Sequence, residues 1–344
     1  MSLYGPACRD IASHISTTKR FTPCDRTERV AYYLGVDGGG SKTTCAVGDE
    51  SSLLVTVTAG PSNITRVGEV RAREALHQAI REACAAAKID PRAVERACIG
   101  IAGAGRQEIA GTIREIAAEI IPGEIEVVGD MEIAMAAAFG AGPGVIVIAG
   151  TGSIAYGRNA QGRTARAGGW GFAISDEGSA HWIGRAAVSS LLRAIDQTHD
   201  QEQVDRSAAE ALPLFHKLKA AWNLHTLDEF VRTANSNPDF AALFPAILSN
   251  AKAGDGLAES ILTQAGRELA RLAGIVARRL FAESDPGPSI PLAMAGGVFR
   301  HSLLVREVFC DGIRQLGPRI EINPQVVEPI AGALQIARKG SAPI

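Results

Sequence analysis

A pattern of short apolar segments and turns occurs twice in the same order along the chain, and this repeat strongly limits the folds that the chain can adopt. In the first half, an apolar strand over residues 32–37 ends in a glycine-rich turn, and two strands, a helix, a strand, a helix and a strand follow. The pattern restarts at residues 145–149, and a second glycine turn follows at the matching place. The order βββαβαβ therefore occurs twice, which predicts an α/β protein with a duplicated core.

The predicted domain boundaries follow from this duplication. Residues 31–140 and 141–340 hold one copy each, and a long helical insertion interrupts the second copy. Residues 1–30 mix charged with polar residues and lack the apolar segment of a secretory signal, so we expect a flexible extension there. A chain of 344 residues is long enough for two domains with hydrophobic cores.

Composition excludes several classes of function. The formal net charge is −2, so the chain has no basic excess with which to bind nucleic acid. It also has no apolar run long enough to span a membrane. Six cysteines include no CxxC pair, and Cys45, Cys84 and Cys98 lie among apolar neighbours. These three are predicted to be buried free thiols, which fits a cytoplasmic protein better than a disulfide or zinc site does.

The two glycine turns are predicted to bind phosphate groups. Glycine leaves backbone N–H groups exposed and lets a phosphate approach closely, and two turns facing each other can hold a triphosphate between two domains. Glycines in turns are often purely structural, so the matching position of the two turns is what supports this interpretation. Neither turn has the spacing of a Walker loop or a dinucleotide-binding fingerprint. The predicted phosphate-binding residues are Gly38, Gly39, Gly40, Ser41, Lys42 and Thr43 in the first turn and Gly150, Thr151 and Gly152 in the second.

Two aspartates stand where predicted strands end. Asp37 lies beside the first turn and is predicted to bind Mg²⁺, with a turn-capping role as the alternative. Asp130 lies between a buried strand and a helix. It is predicted to be a general base for an attacking hydroxyl, because strand ends of this kind face an inter-domain cleft, whereas the alternative is an ordinary helix N-cap.

Three other segments suggest a pocket for a sugar and a nucleoside. The sequence GGWGFAISDEGS at residues 168–179 combines glycines, an aromatic ring and carboxylates, which suits a sugar, and GPSN offers Asn63 from the other domain. Gly296 and Gly297 follow a buried strand, where they would let an adenine ring or ribose lie against the backbone.

Taken together, these motifs resemble the N-acetylglucosamine kinase and BadF/BadG/BcrA/BcrD ATPase family of actin-like ATPases. The resemblance extends over residues 32–339 and is carried by VDGGGSKT, GPSN, GIAGAG, GD-x3-A, IAGTGS, GGWGFAISDEGS and MAGGVF. It implies two ribonuclease-H-like domains, with an all-helical insertion in the second, that close on ATP, Mg²⁺ and an amino sugar. It also implies a kinase that functions as a homodimer.

The resemblance also implies roles for individual residues. Asp130 would be the general base for the 6-hydroxyl of the sugar. The sugar contacts would be Asn63, Ser153, Gly169, Trp170, Gly171 and Asp176, and the nucleotide contacts would include Ser41, Thr151, Ala251 and Gly296. Thr65 stands where animal members have a tryptophan, which leaves N-acetylglucosamine, glucosamine and N-acetylmuramate open as substrates.

Two other functions stay open at the level of sequence. The family includes ATPases that activate radical dehydratases and share an iron–sulfur cluster between subunits, but Cys45 and Cys98, the cysteines nearest the turns, lie inside predicted strands. The second alternative is a sensor that binds sugar without turnover. Such regulators usually carry a DNA-binding helix-turn-helix, for which residues 1–30 are too short.

Overall fold

Ten strands form two mixed sheets in the residues that the computed structural model describes, which are 30–197, 212–236, 238–281, 289–317 and 319–340. The strands of the first sheet are β1 (Tyr32–Gly38), β2 (Thr43–Gly48), β3 (Leu53–Ala59), β4 (Val94–Ile101) and β5 (Glu124–Gly129). Those of the second are β6 (Gly144–Ala149), β7 (Ser153–Arg158), β8 (Thr164–Gly168), β9 (Ile290–Ala295) and β10 (Ile320–Val327).

The two sheets have the same topology. Their strand orders are β3-β2-β1-β4-β5 and β8-β7-β6-β9-β10. In each sheet the first three strands are antiparallel neighbours, the fourth is parallel to the first, and the fifth is parallel to the fourth. The predicted duplication of an α/β core is therefore confirmed.

Helices cover the sheets and make up the predicted insertion. The helices of the first half are α1 (Ile64–Val67), α2 (Glu69–Ala86), α3 (Gln107–Ala118) and α4 (Asp130–Phe139). The insertion between β8 and β9 contains α5 (Ala180–Gln197), α6 (Pro213–Ala221), α7 (Leu227–Asn235), α8 (Phe244–Lys252) and α9 (Gly256–Leu280). After β9 come α10 (Gly297–His301), α11 (Leu303–Gln315) and α12 (Pro329–Lys339).

The last helix returns to the first sheet. Gly35 in β1 lies so close to α12 that an added Cβ would be 2.7 Å from the backbone nitrogen of Leu334. Leu334 packs with Tyr33 and Ile133 in a small buried cluster between α12, β1 and α4. The final segment of the chain thus ties the second half to the first, and the predicted boundary between residues 140 and 141 stays a prediction.

Burial follows the sequence pattern. The central strand β1 is apolar because both of its faces are covered, and Leu34 and Val36 are fully buried in it. Cys45, Cys84 and Cys98 are also fully buried, as predicted. Across the described part of the chain, no helix is both long and apolar enough to cross a bilayer. The expectation for the N-terminal extension concerns residues 1–29, which lie outside the described ranges.

Candidate active site

The first glycine turn closes the β1–β2 hairpin. The Gly39 N–H donates to the Lys42 carbonyl over 2.9 Å, and β1 extends through Gly38 into the turn. An added Cβ on Gly38 would lie 2.6 Å from Ser62 Oγ, so only glycine fits there without movement. Ser41 and Lys42, at the tip of the turn, are exposed and are available to a ligand.

The second glycine turn closes the β6–β7 hairpin and is hydrogen-bonded to the first residues of α5. The Gly150 N–H donates to the Gly152 carbonyl over 2.9 Å. The carbonyls of Gly150 and Thr151 accept from the N–H groups of Ala180 and His181, over 2.9 and 3.3 Å. The turn is thereby fixed to the first residues of a long helix, which makes it a rigid platform.

The two turns meet across the cleft between the halves. Ser41 Oγ and Thr151 Oγ1, 110 residues apart in sequence, form a hydrogen bond of 2.7 Å. A second link lies next to it, where Arg66 Nη2 in α1 and Asp239 Oδ1 in the insertion form an ion pair of 2.6 Å. An added Cβ on Gly40 would be 3.3 Å from Arg66 Cδ, which places this arginine against the first turn. The sequence analysis did not identify Arg66, since a single arginine after GPSN carries no recognisable signal.

Two of the predicted ligand-binding hydroxyls instead hydrogen-bond within the protein. The buried Thr43 hydroxyl donates to the Gly60 carbonyl over 2.7 Å and lies 2.8 Å from Ser62 Oγ. The buried Ser153 hydroxyl donates to the Glu177 carbonyl over 2.8 Å. In this structure the two hydroxyls help to hold the GPSN segment and the DEGS segment in place, and their predicted ligand contacts stay predictions.

The carboxyl groups of Asp37 and Asp176 have raised pKa values. Burial, together with the charge of Asp130, raises the pKa of Asp37 to about 6, although Lys42 opposes the shift. Burial also raises the pKa of Asp176 to about 6, and the charges of Glu177 and Asp130 add to that effect while a hydrogen bond from Gly171 opposes it. The charge of Asp130 acts on both groups, so Asp130 lies within electrostatic range of Asp37 and of Asp176.

Asp130 is the first residue of α4, directly after β5. Gly129, not Asp130, is the N-cap of that helix, so the alternative of an ordinary capping residue does not apply. Its carboxylate accepts the N–H of Met131 over 3.0 Å. Burial raises the pKa of Asp130 despite that hydrogen bond, which brings the carboxylate closer to the basicity that a proton acceptor near neutral pH needs.

The GGWGFAISDEGS segment forms a tight loop that aims Asp176 at the second turn. Asp176 has a φ of +63°, and its Oδ1 accepts the Gly171 N–H over 3.2 Å. An added Cβ on Gly152 would lie 2.8 Å from Asp176 Oδ2, so the carboxylate packs directly against the turn. Gly169 also has a positive φ, of +68°. Trp170 is 65% exposed, which rules out a place in the core for its ring.

Two more predicted ligand contacts, Asn63 and Gly296, lie against the first turn and against β6, the strand that leads into the second turn. The Asn63 N–H donates to the Gly39 carbonyl over 3.3 Å, and its side-chain oxygen accepts the Thr65 hydroxyl over 2.6 Å. Gly296, with a φ of +99°, precedes Gly297 at the start of α10 and lies so close to β6 that a Cβ would be 2.4 Å from the Ala149 carbonyl oxygen.

The predicted nucleotide contact Ala251 lies in α8. Its side chain packs into the hydrophobic core of the second half, and no hydrogen bond of the described residues joins it to either turn. Its role in nucleotide binding stays a prediction.

The donors around Asp37 suit Mg²⁺. Within the described residues no group of three or more acidic, histidine or cysteine side chains is assembled as a metal cage. Mg²⁺ in phosphoryl-transfer sites typically binds one or two carboxylates together with phosphate oxygens and water, so a cage is not required. Burial, together with the charge of Asp130, disfavours the charged form of the Asp37 carboxylate beside the first turn, and a bound cation would offset that cost.

Comparison with known proteins agrees with the fold. Residues 34–337 match the BadF/BadG/BcrA/BcrD ATPase family. The chain is 33% identical over 309 residues to an N-acetylmuramic acid/N-acetylglucosamine kinase of Clostridium acetobutylicum, covering 89% of this chain and 98% of that protein. It is 28% identical over 319 residues to an N-acetyl-D-glucosamine kinase of Dictyostelium discoideum, covering 89% and 97%. A solved structure from Chromobacterium violaceum, described as a candidate N-acetylglucosamine kinase, aligns with a TM-score of 0.65 and 25% identity over 90% of this chain and 99% of its own.

Proposed function

The chain belongs to the BadF/BadG/BcrA/BcrD ATPase family, and from that premise we propose that it is an ATP-dependent kinase that phosphorylates the 6-hydroxyl of N-acetylglucosamine or a related amino sugar. The observation that carries the proposal is the meeting of the two glycine turns through the Ser41–Thr151 hydrogen bond, supported by the charge of Asp130 acting on both Asp37 and Asp176. Such an arrangement offers an anion site and a proton acceptor in one cleft.

Different residues of the cleft have different roles in the proposed reaction. Turn N–H groups other than those of Gly39 and Gly150, which donate within the turns, bind the phosphate chain of ATP together with Lys42. Asp130 accepts the proton of the sugar hydroxyl. The hydroxyl oxygen forms a bond to the γ-phosphorus, the bond to the bridging oxygen breaks, and ADP leaves. Mg²⁺ held at Asp37, when bound, supplies positive charge that offsets the charge of the phosphates.

The sugar is proposed to bind at the GPSN segment and the GGWGFAISDEGS loop. Asp176 and Asn63, on loops from the two halves, accept and donate hydrogen bonds to sugar hydroxyls, while the Gly169–Gly171 backbone lies along the ring. The raised pKa of Asp176 lets it donate as well as accept below about pH 6. The proposed substrate class comprises N-acetylglucosamine, N-acetylmuramate and unacetylated glucosamine. The name of the Clostridium acetobutylicum relative contains the two N-acetyl sugars of this class.

The structure favours a kinase over an activator ATPase with an iron–sulfur cluster. Cys45 and Cys98, the cysteines nearest the turns, are fully buried. Burial raises the pKa of both thiols, whereas a cluster needs thiolates that converge on one exposed point. Buried free thiols also support a cytoplasmic location, and we include in the proposal the homodimer that the family resemblance implies.

A coupled assay of ADP release tests the proposed function. We expect release that depends on sugar, with N-acetylglucosamine, glucosamine, N-acetylmannosamine, N-acetylmuramate and glucose compared at equal concentration. At least one amino sugar should exceed glucose by about tenfold in kcat/KM, and phosphorus NMR should show a 6-phosphate product. Tight sugar binding without release of ADP would contradict the proposal and favour the sensor.

A further inference from the structure

A cavity of about 200 Å³ lies at the edge of the second sheet, between β8, the loop that follows it, and α9. Three of its lining residues are arginines, namely Arg166, Arg271 and Arg279. Trp170, Leu272 and Ile275 form its apolar wall. Arg271, Ile275 and Arg279 are spaced by four residues in α9, so they share one face of that helix. None of the lining residues belongs to a glycine turn, and Trp170 is the one lining residue that is also among the predicted sugar contacts.

The charges around the cavity are mostly positive. Arg271 Nε pairs with Glu268 Oε2 over 2.9 Å, but Arg166 and Arg279 form no ion pair within the described residues. Glu177 is the carboxylate that lines the cavity, and one of its oxygens accepts the Ser175 hydroxyl over 2.8 Å. Three guanidinium groups therefore lie beside two carboxylates, Glu177 and Glu268, and an anion would offset the remaining positive charge.

The guanidinium groups are held in position before any ligand arrives. Arg279 Nη1 donates to the Arg166 carbonyl over 2.6 Å. Arg166 Cζ lies 4.5 Å from the centre of the Trp170 ring, in a cation–π contact. Guanidinium N–H donors that are held in position beside an aromatic and aliphatic wall suit a small organic molecule that carries a phosphate monoester.

We propose that this cavity binds a phosphorylated sugar. Its place in the fold supports a regulatory role, an inference that rests on the proposed function. Asp176 points to the second turn, while its neighbours Ser175 and Glu177 line the cavity, so the two sites occupy opposite sides of one loop. Trp170 belongs to the same loop, and a ligand that immobilises it would change the affinity of the cleft for sugar. The product of the proposed kinase reaction is itself a phosphorylated sugar, so it is the first candidate ligand.

Calorimetry on the full chain tests the proposal. The cleft is first saturated with sugar and a non-hydrolysable ATP analogue, and N-acetylglucosamine 6-phosphate or inorganic phosphate is then titrated. We expect saturable binding of the sugar phosphate, at least about tenfold tighter than inorganic phosphate. The double variant Arg271→Gln/Arg279→Gln should bind it at least about tenfold more weakly, because it loses charge-assisted hydrogen bonds. Arg166→Gln provides a second, single-residue test.

The matched control is Arg267→Gln/Arg278→Gln, which removes the same charge from exposed positions of α9 outside the cavity. It should bind like the unaltered protein. Absence of saturable binding, equal binding by both double variants, or equal affinity for inorganic phosphate would overturn the proposal. The titration needs no turnover, so a failed kinase assay contradicts the proposed function without deciding this result.

Discussion

Asp37 is placed where an ionised carboxylate is unfavourable in the free protein. It is half-buried at the end of β1, and Asp130 and Glu328 add negative charge to its surroundings. Lys42 and Arg300 offset only part of this, so the pKa of Asp37 is raised to about 6. A functional residue that costs stability in this way is expected where a cation and phosphates will later bind.

We predict that Asp37→Asn stabilises the free protein at pH 7 while abolishing kinase activity. Above about pH 6 the native carboxylate is ionised against its surroundings, at a cost on the order of 1–3 kcal/mol that the amide does not incur. The gain should shrink as pH falls below about 6 and vanish only below about pH 3, under the unfolded pKa of 3.8, where the carboxyl is protonated in the folded and the unfolded state alike. Thermal unfolding without Mg²⁺ or nucleotide across that pH range measures it.

The control for this prediction is Glu50→Gln, which removes one negative charge at an exposed turn of the same sheet. It should leave the pH dependence of unfolding unchanged. If Asp37→Asn proved less stable than the unaltered protein at pH 7, or kept its activity, the account of this carboxylate would be wrong.

At the level of elements, the two hairpins could be predicted from sequence because their signals are local. An apolar run followed by glycines fixes the end of a strand, and the repeat of that pattern fixes the equivalence of β1–β2 with β6–β7. Gly169 and Asp176 have a local signal of the same kind, a glycine-rich segment beside carboxylates, and their role as sugar contacts stays a prediction. The helices of the insertion begin only at Ala180, because the φ of +63° at Asp176 is incompatible with a helix.

Other features of the site depend on contacts between distant residues and had no local signal. The Thr43 and Ser153 hydroxyls are predicted to contact ligands, and the structure adds that each donates to a backbone carbonyl, 17 and 24 residues further along the chain respectively. The ion pair of Arg66 with Asp239 and the return of α12 to the first sheet are likewise set by tertiary packing.

A double-mutant cycle tests the contact between the hairpins. Ser41→Ala and Thr151→Val each remove one hydroxyl of a single hydrogen bond, so their effects on the free energy of unfolding should be coupled by about 0.5–1 kcal/mol. With an ATP analogue bound, the coupling should fall towards zero, because both hydroxyls then face phosphate oxygens. Chemical denaturation of the four proteins, with and without analogue, measures both values.

Strict additivity in the free protein would contradict the contact between the turns. Coupling that stays unchanged with analogue bound would contradict the assignment of these hydroxyls to the nucleotide.

At the scale of the whole molecule, two similar α/β halves face each other, and several features join them. The Ser41–Thr151 hydrogen bond and the Arg66–Asp239 ion pair cross at the glycine turns, and α12 runs back along β1. Each half contributes one turn and at least one carboxylate, so neither half alone holds a complete site. Duplication followed by an insertion of helices in the second half accounts for this division of roles.

The most direct test of the account is turnover by Asp130→Asn, measured together with the binding of ATP and sugar. The asparagine keeps the shape of the side chain but cannot accept a proton at neutral pH. We expect kcat to fall at least about 10²-fold, with both dissociation constants within about threefold of those of the unaltered protein. Near-normal turnover in this variant would contradict the assignment of Asp130 as the base between two phosphate-binding turns.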